Sequence, residues 1–300
     1  MTLLPPSDRP ARLSVGVISA GRVGAVLGAA LARAGHRVSA VAAVSEASRA
    51  RAARLLGETA VVPADEVAHA AELLVLAVPD DSLADLVAGL AATGSIRKGA
   101  LVFHTSGAHG IGILDPLTDL GALPLALHPV MTFTGTEVDL QRLEGACFGV
   151  TTVEDLRPVA EALVIEMGSE PVWIAETRRT TYHAALAFGA NNLVTLVTES
   201  ADLLTRAGVA NPERMLGPLL GAALDNSLRH GDRALTGPVA RGDSGTVGKH
   251  LDAIASQAPE AISAYVEMSR LTAVRALAAG TLPPDRAAAL LDVLAAEEEA

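Results

Sequence analysis

Residues 16–24 read GVISAGRVG. The apolar, β-branched run Leu13 to Ile18 leads into this stretch, and the Ala/Leu-rich run Val23 to Ala34 follows it, stopped by Gly35. An apolar run, small residues and then a helix former together predict a buried parallel strand, a tight turn and a helix. The small residues Ser19, Gly21 and Gly24 have the spacing of a G-x-G-x-x-G turn. Such a turn presents helix N-terminal amides to a pyrophosphate. Its second glycine lets the backbone approach the ligand, and its third lets the helix pack on the strand. Both are present as Gly21 and Gly24; the first, which serves the tight turn, is Ser19. A serine there is small and can cap amides or donate to a phosphate. A glycine-rich turn without a ligand is the competing reading, and the motif alone leaves both open.

The same alternation continues downstream. Strands are expected at Arg37–Val44, Ala60–Val62, Glu72–Val78, Ala100–Thr105, Leu123–Leu127 and Cys147–Thr152, with helices at Ala47–Leu56 and Asp80–Ala92. This pattern predicts an α/β fold with a doubly wound parallel sheet. Beyond Glu154 strand signals are confined to Val172–Ile174. Helical patterns cover roughly 177–207, 212–229, 246–255, 259–279 and 284–298. The expected organisation is a loose leader at 1–11, a dinucleotide-binding domain at 12–153 and an all-helical domain at 154–300.

Composition narrows the function. A net charge of −11 argues against nucleic acid as a partner, which needs a concentrated basic face. One cysteine, Cys147, can form no intramolecular disulfide, so a reducing, cytoplasmic setting is expected. The N-terminal MTLLPPSDRPARL lacks the apolar run of a signal peptide. The longest apolar stretch, Ala184–Val197, is broken by Gly189 and two asparagines and falls short of the roughly 20 residues of a membrane span. No metal site is expected. With aromatics at 2% of the chain, the core must be built of Ala, Leu and Val.

Ligands of open parallel sheets bind outside the carboxyl ends of the strands. Cofactor contacts are therefore expected from Ser19, Ala20, Gly21, Arg22, Val23 and Gly24. After Val44 comes SEASRARAARL, in which Ser45, Ser48, Arg49 and Arg51 suit a 2′-phosphate, while Glu46 is of the type that binds an unphosphorylated ribose. NADP is favoured and NAD is the alternative; a solvated helix face competes as the reading of the arginines. Ala77, Val78 and Pro79 end the fourth strand and would line the nicotinamide. HTSGAHG (His104 to Gly110) and LHPVMTF (Leu127 to Phe133) end the next two, and Ser106 and His128 are the expected substrate contacts. In the helical half, His183, Asn191 and Asn192 interrupt an apolar stretch. At 100° per residue, His183 and Asn191 lie about 80° apart and Asn192 about 180° away. Either asparagine could instead be an interhelical hydrogen bonder. The loop LTGPVARGDSGT holds Arg241, whose guanidinium suits a carboxylate, and Asp243 or Ser244, either of which can cap the following helix.

Taken together, GVISAGRVG, VPDDSL, HTSGA, HPVMTF, YHAALAFGANNLVTL and LTGPVARGD resemble the Rossmann-like/DUF2520 family of 6-phosphogluconate dehydrogenase-like oxidoreductases, over roughly residues 12–275. The resemblance implies a Rossmann domain that binds NAD(P), a helical substrate domain and a homodimer formed through it. It is to a group related to ketopantoate and pyrroline-5-carboxylate reductases, some relatives of which use a deazaflavin, a less favoured cofactor here. The run Arg241, Asp243, Thr246 is loosely similar to the substrate loop of ketopantoate reductases. The lysine–asparagine pair of β-hydroxyacid dehydrogenases has no match, because Ala187 and Phe188 precede the asparagines by four.

The expected function is NAD(P)H-dependent reduction of a small carbonyl or imine acid, with ketopantoate as the candidate substrate. Histidine changes charge near neutral pH, so His183 is the expected proton donor, with Lys249 a distant alternative. Asn191 or Asn192 would bond the reacting oxygen and Arg241 the carboxylate. The alternative is a non-catalytic dinucleotide-binding sensor or assembly protein.

Overall fold

A computed structural model describes residues 12–296. The expected leader at 1–11 and the last residues of the expected terminal helix lie outside them. The chain divides into two compact units at Gly189/Ala190.

The first unit is built on eight strands: β1 Ser14–Ile18, β2 Arg37–Ala42, β3 Ala60–Val61, β4 Leu73–Leu76, β5 Leu101–His104, β6 Leu123–Pro129, β7 Cys147–Thr152 and β8 Glu170–Trp173. They form one sheet in the order β3-β2-β1-β4-β5-β6-β7-β8. Every pairing is parallel except β6 with β7. The helices of this unit are α1 Arg22–Arg33, α2 Glu46–Leu56, α3 Ala64–Ala70, α4 Asp80–Thr93, α5 Asp115–Thr118, α6 Val138–Arg142 and α7 Arg157–Glu166. Helix α8, Arg179–Arg206, begins here and carries the boundary between the units.

The continuous apolar runs are strands buried on both faces, as in doubly wound sheets. Val15 and Val17 of β1 join Leu27, Phe103, Leu125 and Phe148 in one core layer. Ile18 joins Leu74, Leu76, Val87 and Leu90 in the other. Helix α1 buries eight consecutive residues, Gly24 to Leu31, mostly small ones, which lets it sink onto the sheet. The strand order reverses between β1 and β4, which sets the Ser19–Gly24 turn beside Ala77 at their carboxyl ends.

Residues 154–189, assigned from the sequence to the helical domain, pack in the first unit. The reason is β8, which extends the sheet by pairing with β7. The short helix α3 and the ten-residue α7 have no counterpart in the sequence-based expectation.

The second unit contains the rest of α8 with α9 Pro212–His230, α10 Gly237–Arg241, α11 Ser244–Gln257, α12 Ile262–Ala278 and α13 Pro284–Ala296. Its core is Val247, Leu251, Val266, Ala273, Leu290 and Leu294. The segment expected as a glycine-rich loop is helical over α10 and ends on left-handed Gly242. Among the described residues no helix is long and apolar enough to cross a membrane.

The β1–α1 turn is the tightest local constraint. Ser19 has φ +77°, and among the described residues it is the non-glycine residue with positive φ. A β-carbon on Gly24 would lie 2.1 Å from the Ser19 carbonyl oxygen and 2.9 Å from Ala77 Cβ. Gly24→Ala is expected to destabilise the fold by at least about 2 kcal/mol, because backbone must move to admit the methyl. Ser19→Gly is expected to stabilise it by up to about 1 kcal/mol through relief of the left-handed conformation. Denaturant unfolding measures both; equal effects would refute the assigned turn geometry.

Candidate functional site

The turn offers backbone donors. Ser19 and Ala20 both donate their N–H to Ala42 O at 3.1 Å, which fixes the turn against β2. Gly21 is the N-cap of α1; it has no side-chain cap, and the helix has no acid in its first turn. First-turn N–H groups left this way attract anions. Gly21 and Gly24 differ in what they serve. A β-carbon on Gly21 would meet nothing nearer than Ser19 Oγ at 3.4 Å. The fold does not require a glycine there.

Beside this turn, α2 starts at Ser45, whose Oγ accepts the Ser48 N–H at 3.1 Å, while Ser48 Oγ donates to Ser45 O at 2.7 Å. Ser45 therefore caps α2, and the Ser48 hydroxyl braces the cap from the first turn. Arg49 Nε donates to Ala43 O, Arg51 to Ala20 O at 3.0 Å and Arg54 to Gly135 O at 2.6 Å. A β-carbon on Gly135 would lie 2.6 Å from Arg51 Nε and 3.1 Å from Arg22 Cγ, so Arg22, Arg51 and Arg54 gather around one loop. That loop is held by the fully buried Asp139, which accepts the N–H groups of Thr134 and Gly135 at 2.8 and 2.7 Å. Among the described residues none of Arg22, Arg49, Arg51 or Arg54 pairs with a carboxylate. Arg54 and Asp139 were not singled out in the sequence; Arg54 is one more arginine in a helical run, and Asp139 acts on a turn that spacing does not reveal.

Further along the strand ends, three histidines take different parts. His104 ends β5 and is fully buried. Its Nδ1 accepts the Ser106 N–H at 3.2 Å, so its Nε2–H donates to Gly110 O at 2.8 Å. Ser106 is buried, and its Oγ accepts the His109 N–H. These two residues latch the loop after β5. His128, in β6, lies 2.8 Å through Nδ1 from Tyr182 Oη. Its ring is edge-on to that of His183, with centroids 5.8 Å apart. A β-carbon on Gly107 would lie 2.5 Å from His183 Cδ2 and 2.9 Å from His128 Nε2, so a glycine is required where the two imidazoles converge.

Arg179, at the start of α8, lies beneath this group and is 1% exposed. It donates to Thr151 Oγ1 at 2.8 Å, Ala126 O at 2.8 Å, Gly149 O at 2.9 Å and Ser106 O at 3.5 Å. In the sequence it is one of several charges in ETRRTTYH, with nothing to mark it as buried. Burial pushes His104 down to about 4, with the charges of Arg179 and His109 adding to the shift against the Gly110 bond. Burial likewise pushes His128 down to about 4, with the charges of His183 and Arg179 adding to it. Burial raises the Tyr182 phenol.

Two family models match the chain: the Rossmann-like domain over residues 5–129 and the domain of unknown function DUF2520 over 146–272. The chain belongs to the Rossmann-like/DUF2520 family. No curated protein matches it. Among solved structures it is similar to protein BF3122 from Bacteroides fragilis, with 23% identity, a TM-score of 0.72, and coverage of 87% of this chain and 98% of that one. It is similar to protein TM1727 from Thermotoga maritima at 20% identity and TM-score 0.64, covering 88% and 98%. For the imine reductase from Pseudomonas sp. the figures are 18%, 0.57, 94% and 92%.

The remaining candidates of this DUF2520 protein lie in the second unit. Asn191 and Asn192 are exposed on α8. Arg241 ends α10 and pairs with Asp243, its Nη2 3.0 Å from Oδ2. Asp243 occupies the N-cap of α11, yet its carboxylate makes no cap bond and turns to Arg241 instead. Thr246 and Lys249 are exposed on α11, and His250 bonds the Tyr265 hydroxyl.

The buried histidines predict a pH response. Both have folded values near 4 against 6.5 unfolded, so the unfolded chain takes up protons first. Their stabilising contribution is full above about pH 6.5 and is lost as pH falls to about 4. Ring-proton NMR should show His104 and His128 neutral at pH 5.5; titration of either near 6.5 would contradict the burial described.

Proposed function

We propose that the chain is an NAD(P)H-dependent oxidoreductase that reduces a small carbonyl or imine acid, with NADPH the favoured reductant. The observation that carries this reading is the open backbone at Gly21 beside four arginines that pair with no carboxylate among the described residues. In a chain of net charge −11, such a cluster suits the pyrophosphate and 2′-phosphate of a dinucleotide. The family and the fold it shares with an imine reductase support the same class.

In this reading Ser19 to Gly24 hold the pyrophosphate, and Ala77, Val78 and Pro79 line the nicotinamide. Arg22, Arg49, Arg51 and Arg54, with the Ser45 hydroxyl, bind the 2′-phosphate, while Ser48 supports the cap. NAD is the second choice of cofactor and a deazaflavin the third. When bound, the reduced nicotinamide supplies a hydride to the carbonyl or imine carbon. His183 gives its proton to the oxygen or nitrogen that gains charge and is reprotonated from water. In the first unit, Ser106 and His128 border the substrate. Ketopantoate is the first substrate to test. Leu219 and Leu228, 65% and 80% exposed on α9, support a homodimer through the helical unit. The missing lysine four residues before the asparagines keeps a non-catalytic dinucleotide sensor as the second reading.

Calorimetric titration tests the cofactor site. Gly21→Ala should leave the unfolding midpoint unchanged and weaken NADPH binding about tenfold or more, a loss of about 1.4 kcal/mol or more. Ser19→Gly should change binding less than about threefold. Equal losses would displace the pyrophosphate from this turn. Oxidation of NADPH by ketopantoate or another 2-oxo acid would support the enzyme; binding without oxidation across a panel of such acids and imines would favour the sensor.

A further inference from the structure

His128 and Tyr182 form a hydrogen-bonded pair that the proton-donor role of His183 does not use. The pair is 2.8 Å long, with the rings edge-on at 5.6 Å. Which partner donates follows from chemistry. A phenol O–H is a far stronger acid than a neutral imidazole N–H, and an imidazole nitrogen a far stronger base than a phenol oxygen. The Tyr182 proton therefore goes to His128 Nδ1. The remaining proton of a neutral His128 must then sit on Nε2. That atom faces the space above Gly107, 2.9 Å from where a β-carbon would stand, beside the His183 ring. Among the described residues Nε2 has no hydrogen-bond partner, and it is not sealed from solvent.

Resting on the reductase reading, we propose that Tyr182 fixes the tautomer of His128, so that its Nε2–H is presented to the reacting oxygen of a small 2-oxo acid as a neutral hydrogen-bond donor. A neutral donor suits this position: it stabilises negative charge developing on the oxygen without giving up its proton, which leaves transfer to His183. Arg179 anchors the arrangement from below. Its guanidinium lies 5.7 Å from the Tyr182 ring and bonds Gly149 O, in the residue paired with His128 across β6 and β7. Tyr182 is a positioning residue and His128 the group that touches substrate.

The test is nitrogen NMR of protein labelled at its histidines, with His128 assigned by the loss of its signals in His128→Asn. The wild type should show one tautomer, Nε2 protonated and Nδ1 bare. Tyr182→Phe should yield mixed tautomers and lower kcat for NADPH-dependent reduction of ketopantoate, or of whichever 2-oxo acid the wild type reduces, about 10- to 100-fold. NADPH affinity should stay within about twofold, since the phenol lies away from the phosphate turn. A wild type with Nδ1 protonated, or a tautomer unmoved in Tyr182→Phe, would overturn the proposal, as would an unchanged kcat. A wild type that binds NADPH but reduces no acid would strike the reductase reading, and the tautomer measurement would then decide whether Tyr182 orders His128.

Discussion

A guanidinium buried without a carboxylate holds the strand ends of this protein together. Such a charge is tolerated only if hydrogen bonds surround it. Arg179 meets the condition with acceptors from the loop after β5, from β6 and from β7. A slip of any of these segments would cost it a bond. Tyr182 follows three residues later, on the same side of α8, and so reaches His128 in β6. The buried charge also opposes protonation of His104 and His128, which are kept neutral chiefly by burial. One side chain thus fixes the position of the polar groups at this end of the sheet and adds to the burial that keeps the histidines neutral.

The phosphate side rests on a different constraint, the close approach of α1 to the end of β1. Gly24 permits that approach, and Ser19 adopts a left-handed conformation to complete the turn. At Gly21, by contrast, the fold has room for a β-carbon. Beside it, Arg49, Arg51 and Arg54 of α2 bond carbonyls and, among the described residues, pair with no carboxylate.

Much of the sheet was legible in the sequence because its strands are buried on both faces: LLVL of β4 and SVGVI of β1 read as apolar runs whatever packs on them. Helix α3 escaped notice because seven residues are too few to establish a period. Helix α10 was masked by the glycine and proline in GPVAR. The division after residue 153 followed a change in helix density, but local pattern carries no information about β8 pairing with β7. The turn formed by Ser19, Gly21 and Gly24 was legible from spacing, though the motif alone left open whether it holds a ligand. Arg179, Tyr182 and Asp139 were not, since their roles arise where segments far apart in sequence meet. Ser45, read as a phosphate ligand, also caps α2 by accepting the Ser48 N–H, and the Ser48 hydroxyl donates to Ser45 O.

In the proposed function, the β1–α1 turn and the arginines beside it bind a phosphorylated nicotinamide dinucleotide. Calorimetric titration of the unmodified protein with NADPH and then with NADH tests it most directly. The account predicts one NADPH bound per chain, at least about tenfold more tightly than NADH, a preference of about 1.4 kcal/mol or more for the 2′-phosphate. Absence of binding by either nucleotide would contradict it.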